Sequence, residues 1–371
     1  MFHLWTLIPA IYIGIRVIFP LRVSASSRCL LFFVMAMVAD FHLLSRLFFG
    51  TMFSPELPQF LMIMIGWGFG FIVIFFMLLV IRDLMQLIRL CLTRKKYPLF
   101  IPVYLLPVMA LSLAGIGVYQ SVKVPDIREV EVRIQGLPEE FDGYRITQLT
   151  DIHVSRLLTG DWLRKVVEKT NALDTSLILI TGDIIDGTVE DRRSDVSSLA
   201  MLKAPDGVFA VTGNHEYYFD GAQWTAELSE LGLHFLNNEH TVITRKDAKL
   251  VLAGITDEAA AKFGGSPPDL SAALSGIDNS GKIILMSHRP NNAPQSAAAG
   301  VSLQLSGHTH GGMVYGFDKF IASANNGFVS GLYDIGQMSL YISNGTGIWN
   351  GFPLRLGKLS EITVLTLRSF N

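Results

Sequence analysis

The sequence predicts an α/β sandwich preceded by an all-α transmembrane helical region, and three observations carry that prediction. Two uncharged runs, residues 60–81 and 99–119, are 22 and 21 residues long, enough to cross a hydrocarbon core of about 30 Å as helices. From residue 123 onward, short runs rich in Val, Ile and Leu alternate with amphipathic stretches, the pattern of strands buried on both faces with helices between them. Charge divides at the same place: residues 1–122 hold nine Lys and Arg against three Asp and Glu, and the rest of the chain holds 21 against 29. A basic apolar head, 1–122, and a mildly acidic body, 123–371, are therefore expected as two domains.

In the head, four membrane spans are expected: 2–21, 30–49, 60–81 and 99–119. The first is interrupted by Arg16 alone. It lacks the basic start and small-residue cleavage site of a secretory leader, so it reads as a span. The second carries Asp40, His42 and Arg46, either a polar relay in the membrane or groups satisfied within the helix bundle. Arg22 and Arg28 lie between spans one and two, and Arg82, Arg89, Arg94, Lys95 and Lys96 between spans three and four; residues 50–59 hold no Lys or Arg. Positive loops stay inside. This places the body on the periplasmic or extracellular side of a multi-pass cell (inner) membrane. With the second run lying on the surface instead, the count would be three and the side would no longer follow from the loops.

Half of the 371 residues are hydrophobic and the mean hydropathy is +0.39, in keeping with a membrane-embedded part. Both cysteines, Cys29 and Cys91, lie in the head, so the body has neither a disulfide framework nor a thiolate metal site. No basic stripe with interleaved aromatics appears in the body, which argues against nucleic acid as a partner.

In the body, strands are expected at 130–135, 144–150, 176–181, 207–212, 249–253, 282–287 and 301–306. Helical spacing marks 161–173 and 191–202. Residues 259–273, rich in Ala, Gly, Pro and Ser, read as a loop followed by a short helix. From Phe328 the chain is mostly extended and ends in a strand at 362–367.

Five polar clusters each follow one of these apolar runs: Asp151-Ile152-His153, Gly182-Asp183-Ile184-Ile185-Asp186, Gly213-Asn214-His215-Glu216, Ser287-His288-Arg289 and Gly307-His308-Thr309-His310. In open α/β sheets, ligands bind just beyond the carboxyl ends of the strands. Five of the chain's nine histidines fall in these clusters. A single histidine is more often structural than functional, but five in matching positions point to one site. Carboxylate, imidazole and amide donors without thiolate suit Mn, Fe or Zn. So many donors exceed the needs of one ion, and a two-metal site follows.

In this order, Asp-x-His, Gly-Asp-x-x-Asp, Gly-Asn-His-Glu, a lone His and Gly-His-x-His resemble the calcineurin-like metallophosphoesterases, over about residues 123–368. The Gly-Thr-Gly-Ile-Trp-Asn-Gly-Phe-Pro-Leu-Arg-Leu-Gly run ending at Gly357 resembles their membrane-associated branch. The chain departs from that branch at Met313, where glutamine is frequent, and at Ser360, where proline is.

The resemblance implies a metallophosphoesterase-type αββα sandwich and two divalent ions. One would be held by Asp151, His153 and His310, the other by Asn214, His288 and His308, with Asp183 bridging; a carboxylate has the oxygens to span two ions. His215 would be no ligand but would protonate or hydrogen-bond the leaving oxygen. The implied reaction is attack of a metal-bound hydroxide on phosphorus, opening a phosphomonoester, phosphodiester or pyrophosphate bond, with lipid-linked phosphates among the candidate substrates.

Four further residues have roles left open. Glu216 either orients His215 or is a solvated loop carboxylate. Asp186 holds the loop after Asp183 or joins the ligands. Arg289 binds substrate phosphate or caps a turn, and Asp257 is a weaker site candidate. A reading from another class is a membrane sensor or transport-associated protein whose body binds metal or phosphate without turnover, though such a protein has no need of His215.

Overall fold

The computed structural model describes residues 2–93, 104–277 and 281–370. The chain forms two compact units, Met1–Ser121 with Asn350–Leu356, and Val122–Trp349 with Gly357–Asn371.

The first unit is helical. Its longest helix, Gln59–Thr93, and the helix Leu105–Val122 are each long and apolar enough to cross a membrane. The former contains the expected run 60–81. The latter covers most of 99–119, and residues 99–103 fall outside those described, as do Arg94, Lys95 and Lys96. The first expected span, 2–21, is a shorter apolar helix, Phe2–Ile13, running into a wider turn at Gly14–Ile18. The second, 30–49, is bent: helices Ala25–Ala39 and Phe41–Phe49 meet at 66°. The break is at Asp40, which accepts a hydrogen bond from Thr6 Oγ1 at 3.2 Å. Among the described residues, two helices thus meet the length and apolarity of a span, and three spans result if the bent pair counts as one.

Several polar groups in this unit find partners inside it. Arg16 donates twice to Asp83, at 2.8 and 2.9 Å, and Tyr12 donates to the same carboxylate at 2.6 Å. The fully buried His42 binds the carbonyl of Gly351 through Nε2 at 2.6 Å. Gly351 belongs to a segment that lies among these helices. Leu354 packs where side chains at Gly70 and Gly117 would stand, and the backbone N–H of Arg355 donates to Gly117 O at 3.0 Å. Arg355 is fully buried, so it is no solvated surface arginine.

The second unit is an αββα sandwich of two six-stranded sheets. In chain order the strands are β1 (Asp126–Gln135), β2 (Arg145–Leu149), β3 (Leu177–Thr181), β4 (Val208–Val211), β5 (His234–Phe235), β6 (Glu239–Arg245), β7 (Ala248–Gly254), β8 (Lys282–Met286), β9 (Leu303–Ser306), β10 (Gly331–Ile335), β11 (Met338–Ile342) and β12 (Glu361–Phe370). One sheet has the order β1-β12-β2-β3-β4-β5, the other β10-β11-β9-β8-β7-β6. β2, β3 and β4 run parallel, as do β7, β8, β9 and β11. Strands such as β3, Leu-Ile-Leu-Ile-Thr, are buried along their whole length. That is why they read as continuous apolar runs rather than alternating ones.

Between the sheets, Val132, Ile146, Leu179 and Leu365 of one meet Leu252, Ile284, Leu303 and Tyr341 of the other in a single core. Outside the second sheet, Ala273 and Ala293 pack on Leu285 and Leu340. The helix Gly160–Asn171 turns Leu163, Val166 and Val167 inward with helical spacing and leaves its charged face out.

Most expected elements match in place. The expected helix 191–202 is a short α-helix, Val189–Val196, followed by a 3₁₀ turn, Ser197–Met201. The antiparallel β6 was not anticipated; it sits at a sheet edge, where one buried residue leaves little apolar pattern. The C-terminal strand β12 lies inside the first sheet, parallel to β1 and antiparallel to β2.

Leu365 on β12 is fully buried in the shared core. Leu365→Ala should lower stability by about 2–5 kcal/mol, read as a lower thermal-unfolding midpoint of the detergent-solubilised chain. An unchanged midpoint would mean that β12 contributes nothing to that core.

Candidate metal centre

The five polar clusters come together because the strands before them end on one side. Asp151 follows β2, Asp183 follows β3 and Asn214 follows β4; these strands are parallel neighbours. From the opposite sheet, His288 follows β8 and His308 follows β9, again parallel neighbours. The turns also run side by side. Asp151 N–H donates to Gly182 O and His153 N–H to Asp183 O, at 3.0 and 3.1 Å, while Gly307 N–H donates to His288 O at 2.9 Å.

The backbone at the donors is itself unusual. Asp151, His153, Asp183, His308 and His310 have φ between 48° and 68°, the left-handed region that L-residues seldom occupy. Each costs about 1–2 kcal/mol relative to ordinary geometry, and such costs gather where a site requires them. Glycines supply the close approaches. A side chain at Gly213 would overlap Asp183 Oδ1, and one at Gly307 would overlap Asp151 Oδ2.

Among the described residues three groups of donor atoms result, each within 4.8 Å of one another: Asp151, His153 and His310; Asp183, His288 and His308; and His153, Asp186 and His215. His153 Nε2 faces His310 Nε2 at 3.2 Å, and His310 Nε2 lies 3.6 Å from Asp151 Oδ1. Asp183 stands between the first two groups. Its Oδ2 is 3.1 Å from His288 Nε2 and 3.7 Å from His153 Nε2. His288 Nε2 is buried and makes no hydrogen bond, despite its distance from Asp183. Donors bonded to one ion at about 2.1 Å are held roughly 3.0–3.4 Å apart; the 3.1 and 3.2 Å separations fall in that range and the 3.6 and 3.7 Å ones just beyond it. The residues therefore fit divalent cations.

The far side of two of these rings is also fixed. His288 Nδ1 lies 2.8 Å from Thr181 O, a pure acceptor, so Nδ1 carries the proton and Nε2 presents its lone pair. His153 Nδ1 lies 3.3 Å from Asp186 Oδ1, and the same oxygen is bound closely by His215 Nδ1. Asp186 thus orients two imidazoles at once. Asp151 accepts from His308 N–H through both oxygens, each at 3.0 Å, and from Thr150 Oγ1 at 2.9 Å.

Glu216 is not a solvated carboxylate. Fully buried, it accepts from the N–H groups of Asp183 at 3.0 Å, Ile184 at 2.7 Å and Gly213 at 2.7 Å. One side chain therefore ties the turn after β3 to the turn after β4, and it acts on backbone rather than on His215. Arg289 donates to Asn214 Oδ1 and approaches His308 Nε2, both at 3.1 Å, and its Nε is held by Asp257 Oδ2 at 2.7 Å. Asp257 reaches the cluster only through that arginine among the contacts described. Its other oxygen accepts from Ala259 N–H at 2.8 Å.

Burial opposes charge on the rings, yet the carboxylates outweigh it. Asp183 pushes His288 up to about 10, and Asp186 with Asp183 pushes His215 up to about 9. Burial, together with the charges of His288 and Arg289, drives His308 well down. A field that holds protons this firmly also attracts divalent cations, which compete for the same lone pairs.

Two aromatic residues beside His215 escaped the sequence reading. The Tyr218 ring lies 5.1 Å and the Trp349 ring 6.5 Å from its centroid. Tyr218 could have been noticed three positions after His215, but Trp349 is brought in from a distant part of the chain. The turn at Thr346 and Gly347 was missed as well. Its N–H groups donate to Thr150 O at 2.7 Å and Asp151 O at 2.9 Å.

Known proteins are similar to this chain in sequence. The family model of the calcineurin-like phosphoesterases matches residues 144–312. A zebrafish (Danio rerio) transmembrane protein with metallophosphoesterase domain is 33% identical over 270 residues, 70% of this chain and 61% of that protein. An uncharacterized metallophosphoesterase of Campylobacter jejuni is 33% identical over 263 residues, covering 70% of this chain and 68% of the relative. One from Bacillus subtilis is 31% identical over 267 residues, 69% of this chain and 90% of the relative. The shared part is thus less than two thirds of the zebrafish protein's length.

Removing the carboxylate of Glu216 would strand three buried donors, each worth about 1–3 kcal/mol. Glu216→Ala should therefore lower stability by at least about 3 kcal/mol and loosen the turn carrying Asp183. A thermal melt reads the first effect and manganese uptake the second. An unchanged melting midpoint would contradict the role given to this side chain.

Proposed function

The chain belongs to the calcineurin-like phosphoesterase family, and from that premise we propose that it is a membrane-anchored, dinuclear metal-dependent phosphoesterase. The observation that carries the reading is the position of Asp183 Oδ2, between His288 Nε2 at 3.1 Å and His153 Nε2 at 3.7 Å. Asp151, His153 and His310 would hold one ion, and Asn214, His288 and His308 the other, with Asp183 shared. Two divalent cations, Mn, Fe or Zn by the donor set, would activate water and neutralise charge on a phosphate ester.

The chain's own residues supply the rest. Asp186 holds His153 and His215 through their Nδ1 atoms, and His215 would give a proton to the leaving oxygen. Arg289, steadied by Asp257, lies beside Asn214 and His308, where its guanidinium would meet an anionic substrate. The substrate is a phosphomonoester, phosphodiester or pyrophosphate. A head with helices of membrane-crossing length brings lipid-linked phosphates within reach. By the distribution of Lys and Arg between the apolar runs, the body lies on the periplasmic or extracellular face of the cell membrane.

Two substitutions test this reading against that of a sensor that binds metal or phosphate without turnover. Asp183→Asn should lose both manganese uptake and hydrolysis of bis(p-nitrophenyl) phosphate. His215→Ala should retain metal content, measured by mass spectrometry, while turnover falls by about 10²–10⁴. A purified chain that takes up no manganese, iron or zinc would overturn the proposal.

A further inference from the structure

We propose that Tyr315, Phe320 and Leu359, with Lys319 and Lys358 beside them, form a face that sits in the lipid interface next to the metal-ligand turn. The inference rests on the membrane-anchored reading above and adds a substrate class: a phosphate ester carried on a lipid.

The face is attached directly to the candidate site. The segment that carries it leaves the turn of His308 and His310 at Gly312, where an added side chain would meet Asp318 Cα at 2.5 Å. It returns at Val329, whose carbonyl accepts from Thr309 Oγ1 at 2.6 Å. Both ends are therefore pinned to the ligand-bearing turn, and the segment's position is set relative to His308 and His310.

What the segment displays does not suit water. The helix Asp318–Ala324 has no buried residue. Phe320 is 75% exposed and Tyr315, just before the helix, 77%. No other large apolar side chain among the described residues of the second unit is so bare, and a patch of such groups marks an interaction site. Tyr and Phe flanked by Lys are the composition of segments that lie at a lipid surface, rings among the acyl chains and ammonium groups among the phosphates.

Chain continuity identifies lipid as that partner. Val314 pairs with Gly357, and Tyr315 Cβ comes within 3.3 Å of where a Gly357 side chain would stand. Lys358 Nζ lies 3.7 Å from Asp318 Oδ2, tying the helix to this strip, and the adjacent Leu359 is exposed. Gly357 is the first residue after Asn350–Leu356, the segment that belongs with the apolar helices. Leu354 and Leu356 of that segment pack at Gly117, within a helix of membrane-crossing length. The chain thus passes from among those helices to the aromatic strip without an intervening residue. A lipid seated at this face would have its chains beside Phe320 and its phosphate directed to the metal-ligand turn.

The test uses the full chain, with Cys29 and Cys91 changed to serine, in vesicles of phosphatidylethanolamine and phosphatidylglycerol. Phe320→Cys carries an NBD label; Met201→Cys serves as aqueous reference and Phe33→Cys as lipid reference. Lipid-borne nitroxide should quench the label at 320 at least about twofold, as at 33, and aqueous iodide should quench it as weakly as at 33. A label at 320 that behaves like the one at 201 overturns the proposal. So does a label shielded from both quenchers, which would indicate a protein partner or a second copy.

Competition separates lipid phosphate from free phosphate. Phosphatidic acid in vesicles should inhibit bis(p-nitrophenyl) phosphate hydrolysis at an about tenfold lower concentration than glycerol 3-phosphate, and Phe320→Asp should erase that advantage. Equal inhibition overturns the substrate class. Absence of hydrolysis in the unmodified chain overturns the phosphoesterase reading, while the quenching result still decides where the face lies.

Discussion

Asp183 is fixed before it binds anything. Its backbone N–H is taken by Glu216, its Oδ1 accepts from His215 N–H at 2.8 Å, and its Oδ2 faces His288 and His153. The carboxylate cannot turn away without breaking a buried hydrogen bond, and it lies where turns from both sheets converge. Such a group is costly to bury unless its charge is met. The ring nitrogens of His288 and His153 on either side meet part of that charge. The sandwich core keeps two sets of strand ends close enough for one aspartate to serve both.

The core also sustains a local cost. Five donor residues in left-handed backbone geometry store several kcal/mol by the usual scale of about 1–2 kcal/mol each, a large fraction of a domain's net stability. The strain persists because each turn is held on both sides. The turn after β2 leans on the turn after β3 and on Thr346 and Gly347, while the turn after β8 is bonded to the turn after β9. Asp and His tolerate the left-handed region better than branched residues, so the residue types that can bind an ion also accept the backbone that presents it.

Asp186 and Glu216 divide the buried negative charge into different tasks. Asp186 binds imidazoles and thereby fixes which nitrogen of His153 points inward. Glu216 binds only backbone N–H groups and locks two turns together. Both look alike in the sequence, as acidic residues a few positions after a candidate ligand. Arg289 and Asp257 form a third device, in which one carboxylate holds a cation against Asn214 and His308. The helical unit solves the same problem by other means: Arg16, Tyr12 and Asp83 satisfy one another, and His42 is satisfied by a carbonyl from residue 351.

The sequence by itself determined the α/β character of the body, the places of most of its parallel strands along the chain, the two long apolar runs and the five clusters that meet at one place. All of these follow from local regularities: apolar runs of strand or helix length, and polar residues at the ends of parallel strands. It did not distinguish Glu216 from a solvated acid, show that run 30–49 bends at Asp40, bring Trp349 to His215, or insert β12 between β1 and β2. Nor did it reveal that residues 350–356 belong with the helices, since a short Phe-Pro-Leu run does not say what packs against it. Each of these depends on residues far apart in the chain becoming neighbours. A single sequence records what a segment prefers alone, whereas burial, hydrogen-bond partners and strand pairing are set by whatever the rest of the chain places against it.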